Sequence, residues 1–323
     1  MPQSLLKKPS PPFKSKKVLV LAGGWSKERE VSLSSGQGVM EALKNLGHRG
    51  EFFDPPRSLL DLIYGIESSF DGQGPEIIFN ILHGHEVEDG ILQGVLTLLN
   101  RPYTFSNVLG SALSMHKGIA RDILSTRGVR CPEGGVVALK EYPEKITFFP
   151  HVCKPLGEGS TMGVHFVSSP QEQEKVFNEW VYGHELLVER YIPGREIQVA
   201  VFGGIAMGAV EITFEGPIFS YEAKYVKGLA QHLVPAPLPL QAYEEVLHLA
   251  ELAHDALQCK GVTRSDFRYH ETQGGLGTFY YLETNCQPGM TPLSLVPEIA
   301  AAVANWSYED VVQWILEEAL CAK

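Results

Sequence analysis

The chain has 323 residues, 44% of them apolar and 20% charged, with a formal net charge of −11. That balance excludes a disordered, collagen-like or fibrous protein, and the length supports two or three domains around a large buried core. The acidic surplus argues against a broad nucleic-acid footprint, although lysines grouped locally can still hold a small polyphosphate.

The basic, proline-bearing stretch Met1–Lys17 reads as a flexible arm over residues 1–16, since it lacks the apolar core of a secretory signal. No apolar run approaches the ~18 residues of a membrane span. The five scattered cysteines form no CxxC pair, which favours a reducing compartment over a disulfide framework or a zinc site. A cytoplasmic protein is expected.

Val18–Ala22 is an all-apolar run closed by Gly23-Gly24, the pattern of a strand buried on both faces. A helix over Ser32–Leu46 follows, with Val39, Leu43 and Leu46 on one stripe and Gly47 as its stop. Phe52-Phe53 and Glu76–Leu82 read as the next strands, with Leu59–Glu67 a helix between them. This order predicts a parallel sheet with helices on its faces, in a first domain spanning 17–106.

Two motifs sit at the ends of these strands. Gly23-Gly24 with Ser26, Glu28 and Ser32 offers backbone N–H groups and a Ser-capped helix start, a seat for a carboxylate or phosphate. A tight strand-to-helix turn uses the same glycines, and that plainer reading is preferred for the motif alone. His83-Gly84-His85-Glu86-Val87-Glu88-Asp89-Gly90 places histidine and carboxylates where α/β proteins hold ligands. A metal reading needs converging side chains; taken alone, Glu88 and Asp89 read better as caps of a helix over Ile91–Leu99.

Val108–Arg127 reads as one long helix. Val152–Pro155 and Val164–Val167 are strands flanking the small-residue turn Lys154–Gly163. Its amides can cradle phosphates beside Lys154, or it is a plain hairpin; it is no Walker A loop, because no Gly-Lys-Ser/Thr follows. Leu186–Ile192, Glu196–Phe202 and Ala206–Phe214 are β-rich runs between Pro/Gly turns. Gln241–Gln258 is an amphipathic helix, with Tyr243, Val246, Ala250, Ala253 and Leu257 on one face. Strands over Val262–Tyr269 and Gly277–Asn285 follow, and two helices close the chain.

The last two strands carry the sharpest chemistry. Strand alternation puts Glu283 and Asn285 on one face, about 7 Å apart. In a hairpin, Asp266 and Arg264 share that face. Three oxygen donors on a rigid sheet, with positions open to water and phosphates, suit Mg²⁺. Solvated surface carboxylates are the alternative, but the flanking Phe279-Tyr280-Tyr281-Leu282 is apolar and tips the balance to metal.

Taken in order, the motifs resemble the D-alanine–D-alanine ligases of the ATP-grasp superfamily. Four segments carry the resemblance: Gly23-Gly24-Trp25-Ser26-Lys27-Glu28-Arg29-Glu30-Val31-Ser32, Tyr221-Glu222-Ala223-Lys224-Tyr225, Leu282-Glu283-Thr284-Asn285 and Pro288-Gly289-Met290-Thr291-Pro292. His83-Gly84 with Glu88-Asp89-Gly90, and Lys154-Pro155 with Gly159-Ser160, fit the same pattern, which runs from about Lys17 to Leu320. The resemblance implies a three-part ATP-grasp fold of mixed α/β and α+β class. An N-terminal parallel-sheet domain (17–106) would precede a central subdomain (107–190) and a C-terminal subdomain (191–323), with ATP between the last two. It implies ATP-dependent ligation of two D-alanines for peptidoglycan precursor synthesis, through an acyl phosphate, with release of ADP and phosphate. Two Mg²⁺ ions, replaceable by Mn²⁺, and a homodimer belong to the same expectation.

The resemblance also assigns roles. Asp266, Glu283 and Asn285 match the metal ligands, with Glu283 bridging two ions. Lys117 and Lys154 match the lysines on the ATP phosphates, and Lys224 sits in the loop that closes over them. Glu189, Arg190, Ile192 and Glu196 fall where adenine and ribose are contacted. Arg264 and the N–H of Gly289 match the oxyanion-stabilising pair. Glu28 matches the carboxylate on the first D-alanine's ammonium, with His83 beside its carboxylate. Ser294 and Leu295 match the second substrate's position. Ser160 and Tyr225 complete, with Glu28, a triad pinning the closing loop. The chain departs from the pattern at His116, where Asp is usual, at Glu86-Val87 in the His83 loop, and at Asn305-Trp306 near the C-terminus; these put loop shape and helix capping in question. A ligase using D-lactate or D-serine, and a nucleotide-binding regulator with a lost site, are the competing readings; intact ligands and lysines weigh against the second.

Overall fold

The structure is a computed structural model that describes residues 6–12, 14–159, 161–219, 228–272, 275–291 and 294–321. Strands β1 (Lys17–Leu21), β2 (Arg49–Phe53) and β3 (Ile77–Asn80) form a parallel sheet in the order β2-β1-β3. Helices α1 (Arg29–Asn45), α2 (Leu59–Gly72) and α3 (Ile91–Leu98) cover it. Alternation along β1 decides which core each residue joins. Val18 and Val20 pack with Val39 and Leu43 of α1, while Leu19 and Leu21 pack with Leu62 and Ile66 of α2 and Leu92 and Leu96 of α3. The expected parallel sheet with helices on both faces is present.

The entry to α1 differs from expectation. The helix begins at Arg29, so Ser32 lies inside it and is not its cap. The Ser32 hydroxyl accepts from the Gly23 N–H (2.8 Å) and donates to the Ile81 carbonyl (2.6 Å), stitching two strand ends together. The Gly24 N–H donates to Asp54 Oδ1 (2.9 Å), which Arg29 also holds. Both glycines have positive φ, 94° and 75°. With their amides taken by the protein's own side chains, they make a turn rather than an anion seat.

The single helix expected over Val108–Arg127 is two, α4 (Val108–Met115) and α5 (Lys117–Thr126). The break is at His116, whose extended backbone (φ −81°, ψ 91°) lets Nδ1 accept from the Ile119 N–H at 3.2 Å. His116 thus caps α5, the task a short acidic side chain performs elsewhere.

A second sheet contains β4 (Gly134–Ala138), β5 (His151–Lys154), β6 (His165–Val167) and β7 (Glu185–Arg190) in the antiparallel order β4-β7-β5-β6. Helices α6 (Tyr142–Lys145) and α7 (Pro170–Glu179) pack on it through Tyr142 and Val176. The third sheet, in the order β10-β9-β8-β11-β12, is antiparallel throughout; its strands are β8 (Arg195–Phe202), β9 (Ile205–Phe214), β10 (Ala230–Leu233), β11 (Val262–His270) and β12 (Thr278–Asn285). Of the three β-rich runs read after Leu186, the first therefore belongs to a different sheet from the other two.

Helix α8 (Leu240–Ala256) lays Val246, Ala250 and Ala253 against Val199 and Val201 of β8. On the other face, α9 (Leu295–Ala304) and α10 (Tyr308–Cys321) pack Ile299, Val311 and Ile315 against Ala200 and Phe202. This last core is continuous with the Val18–Val39 core, so the two ends of the chain bury one another.

Buried Gln287 ties the first sheet to the third. Asn80 Nδ2 donates to its Oε1 (2.8 Å), its Nε2 donates to the Leu82 carbonyl, and its N–H donates to Asn285 Oδ1 (2.8 Å). Gln287→Leu keeps the volume but orphans Asn80 Nδ2 and the Leu82 carbonyl. A loss of about 2–6 kcal/mol is expected, at 1–3 kcal/mol for each of the two stranded groups, and urea unfolding measures it.

Candidate active site

The floor is the β11–β12 hairpin. Its register sets Asp266 opposite Glu283 and Arg264 opposite Asn285. Strand alternation puts all four side chains on one face, as the sequence anticipated. Arg264 grips Asp266 with a bidentate fork, Nε to Oδ1 at 2.8 Å and an Nη to Oδ2 at 2.9 Å. Lys117, the first residue of α5, brings Nζ to 3.2 Å from Glu283 Oε2 and donates to the Glu158 carbonyl at 2.7 Å. Among the described residues no three His, Cys, Asp or Glu side chains gather for an ion, so the donor set here is two carboxylates and the amide oxygen of Asn285. These are hard oxygen donors backed by cations, a set that fits Mg²⁺ or Mn²⁺.

Above this floor, a cleft opens between the second and third sheets. Lys117, Lys154, Glu189, Arg190, Ile192, Glu196, Asp266 and Glu283 all line it, between apolar walls from Val152, Val164, Phe219 and Leu282. Lys154 is buried and donates to Glu189 Oε2 at 2.8 Å. Burial disfavours its charge, but the charge and hydrogen bond of Glu189, with Glu283 and Glu196 behind, push its pKa up. Arg121 of α5, which the sequence reading passed over, holds the other Glu189 oxygen at 2.9 Å. Arg121 stands four residues after Lys117, one helical turn on, and that spacing was the available signal.

A second, smaller pocket joins this cleft through Lys117 and Glu283, and Glu88, Gly159 and Asn285 also line it. Glu88 is not a helix cap. It turns inward, accepting from His83 Nδ1 (2.8 Å) and from the Gly84 N–H (2.8 Å). At the start of α3, Asp89 takes the Ile91 N–H at 3.1 Å and Gln93 Oε1 takes the Gly90 N–H at 3.1 Å. Burial disfavours a charged His83, yet the hydrogen bond and charge of Glu88, with Glu28 adding, outweigh it and raise the pKa; Arg264 opposes them. His83 Nε2 is buried and has no hydrogen-bond partner among the described residues. A protonated imidazole therefore holds one donor ready for an anionic oxygen.

Glycines bring the loops together here. A Cβ on Gly159 would stand 2.7 Å from Glu28 Oε2, so the turn after β5 lies directly on Glu28. A Cβ on Gly289 would stand 3.2 Å from Ser294 Oγ, which accepts from the Thr291 N–H at 2.8 Å; Leu295 opens α9 beside it. The Thr161 hydroxyl donates to the Phe219 carbonyl at 3.0 Å, joining that turn to the chain leading toward Tyr221. Ser160, Lys224 and Tyr225 lie outside the described residues.

The departures from the expected pattern have local explanations. Glu86 takes positive φ (71°) and is held by Trp25 Nε1 and Arg57, while Val87 is buried in the α2–α3 core. Asn305 caps α9 in the left-handed conformation (φ 54°), as glycine would, and Trp306 packs edge-on against Phe202 at 5.6 Å.

Residues 136–317 match the family model described as D-ala D-ala ligase C-terminus. The D-alanine--D-alanine ligase of Parvibaculum lavamentivorans is 43% identical over 311 residues, covering 95% of this chain and 98% of that protein. That of Methylorubrum populi is 45% identical over 313 residues, covering 94% and 98%. Among solved structures, the D-alanine--D-alanine ligase of Bacillus anthracis complexed with ATP superposes with a TM-score of 0.77 at 28% identity, covering 95% of this chain and 98% of that one. The VanG D-Ala:D-Ser ligase of Enterococcus faecalis superposes at 0.78 with 25% identity, covering 95% and 100%.

Proposed function

The chain belongs to the D-alanine–D-alanine ligase family, and from that premise we propose how its residues join two D-alanines at the expense of ATP for peptidoglycan precursors. The carboxylate of the first D-alanine attacks the γ-phosphate of ATP, giving an acyl phosphate and ADP. The amine of the second attacks the acyl carbon, and the tetrahedral intermediate expels phosphate. Negative charge accumulates in both steps, so positioning and fixed positive charge supply the catalysis.

One observation carries this reading: the buried cations Lys117 and Lys154, the Asp266–Glu283 pair, and Glu88, which holds His83, meet across two joined pockets. Lys117 and Lys154 hold the phosphates, with Lys224 closing over them. Glu189, Arg190, Ile192 and Glu196 seat adenine and ribose. Asp266, Glu283 and Asn285 hold Mg²⁺, which when bound neutralises phosphate charge. Glu28 takes the first ammonium and His83 the first carboxylate, and Ser294 and Leu295 border the second substrate. Arg264 and the Gly289 N–H stabilise the oxyanion, and Glu28, Ser160 and Tyr225 pin the closing loop. The three parts are assigned to 17–106, 107–190 and 191–323.

The enzyme works as a cytoplasmic homodimer in this reading. The exposed apolar side chains Leu60 and Tyr64 of α2 and Leu98 of α3 support a second copy. No helix among the described residues is long and apolar enough to cross a membrane.

D-Alanine is the proposed second substrate, in line with the relatives above 40% identity; D-serine is the second reading, favoured by the VanG structure at 25% identity. Incubation with ATP, Mg²⁺ and equal D-alanine, D-serine and D-lactate, with products counted by mass, decides between them. Mainly D-alanyl-D-alanine is expected; a mainly D-Ala-D-Ser or depsipeptide product overturns the assignment.

The His83–Glu88 pair sets a pH dependence. His83 has a raised pKa, so its imidazolium is fully present below the ordinary value of about 6.5 and is lost only as pH rises through the folded value. Glu88→Gln removes the charge that raises it. The alkaline loss of kcat/KM for D-alanine should then begin at lower pH than in wild type. An unmoved alkaline limb takes His83 out of carboxylate binding.

A further inference from the structure

Arg268 is a buried cation at the nucleotide end of the cleft that no role above absorbs. It stands on β11 two residues beyond Asp266, directly opposite Glu196 on β8. Its guanidinium reaches three groups at once. Nε donates to the Ile192 carbonyl at 3.1 Å, one Nη donates to the Tyr191 hydroxyl at 3.3 Å, and the other lies 3.6 Å from Glu196 Oε2. The Tyr191 ring also lies under the guanidinium carbon, 5.6 Å from its centroid. Gln198 Nε2 donates to the remaining Glu196 oxygen at 3.1 Å.

We propose that Arg268 is a positioning residue for the nucleotide: it fixes the Tyr191–Ile192 segment and turns the Glu196 carboxylate toward the ribose hydroxyls, and so sets the preference for a ribonucleotide. This rests on the assignment of Ile192 and Glu196 to adenine and ribose. The segment between β7 and β8 lies outside both strands; the Tyr191 N–H donates to the Pro150 carbonyl at 3.1 Å and His270 holds the Pro193 carbonyl, while the Ile192 carbonyl takes its donor from Arg268. A planar fork supplies that donor and the countercharge for Glu196 from one rigid group, which a lysine cannot do. A carboxylate aligned in advance discriminates against a nucleotide lacking the matching hydroxyl, because the hydrogen bond it is placed to accept is then not made.

The test uses the intact enzyme with ATP, 2′-deoxyATP and 3′-deoxyATP, in wild type, Arg268→Met and Arg268→Lys. Met keeps the length and burial without the donors; Lys keeps the charge without the fork. Wild type should prefer ATP over at least one deoxynucleotide. In Arg268→Met, KM for ATP should rise about tenfold or more, the size of one lost charge-assisted hydrogen bond, with a much smaller change in kcat. The preference for ATP should shrink by a similar factor, and Arg268→Lys should fall between the two. Unchanged KM and preference in both variants overturn the proposal, as does a loss confined to kcat or to KM for D-alanine. Calorimetry of wild type with ATP separates the two levels: absence of binding removes the nucleotide reading itself, whereas normal binding with unaffected variants removes Arg268 alone. If Arg268→Met fails to fold, Arg268→Lys decides by the same ratio.

Discussion

Glu283→Gln is expected to lower turnover by about 10²–10³-fold, the loss of a few kcal/mol of charge stabilisation at the transferring phosphoryl group. The substitution is isosteric, so the strand pairing with Asp266 and the packing of the neighbouring Tyr281 side chain stay in place. What changes is charge. Lys117 Nζ lies 3.2 Å from Glu283 Oε2 and lines both pockets, so an uncharged neighbour leaves that ammonium less tightly placed as well. Thermal unfolding should shift little, and raising Mg²⁺ should recover part of the lost rate. Near-normal turnover at limiting Mg²⁺ would remove Glu283 from metal binding.

Arg264→Lys should cost about as much, roughly 10²–10³-fold in kcat, which is the loss seen when one oxyanion donor is removed. Charge is conserved, so the loss is one of geometry. The guanidinium spans both Asp266 oxygens at 2.8 and 2.9 Å, which holds its plane fixed relative to the hairpin. An ammonium cannot make that fork and still present a donor at the reacting centre. KM for ATP should change far less than kcat, since the interaction strengthens in the transition state. Equal losses in KM and kcat across all substrates would instead point to a collapsed Asp266 site.

The sheets were legible where periodicity and turn residues agree. β1 and the β11–β12 hairpin follow from apolar runs and alternation, and with them came Asp266, Glu283 and Asn285. The break between α4 and α5 was not legible, because apolar spacing continues through His116 and a histidine cap has no distinct sequence signature. β4 was missed because Gly134-Gly135 reads as a turn; a Cβ on Gly134 would stand 2.0 Å from the Val188 carbonyl, so close pairing with β7 demands glycine there. Glu88, Arg121, Arg268 and Gln287 act on residues distant in sequence or through loop geometry, so their partners appear only in three dimensions. Reading Glu88 as a cap was reasonable for an acid just before a helix. The buried imidazole at 2.8 Å is the stronger attraction.

The central claim is that the first D-alanine's carboxylate is phosphorylated before the peptide bond forms. It is tested by supplying D-alanine with both carboxylate oxygens replaced by ¹⁸O, together with unlabelled ATP and Mg²⁺. The acyl phosphate route transfers one labelled oxygen to inorganic phosphate for each dipeptide made, and leaves ADP unlabelled. Unlabelled phosphate, or label recovered in AMP, contradicts it.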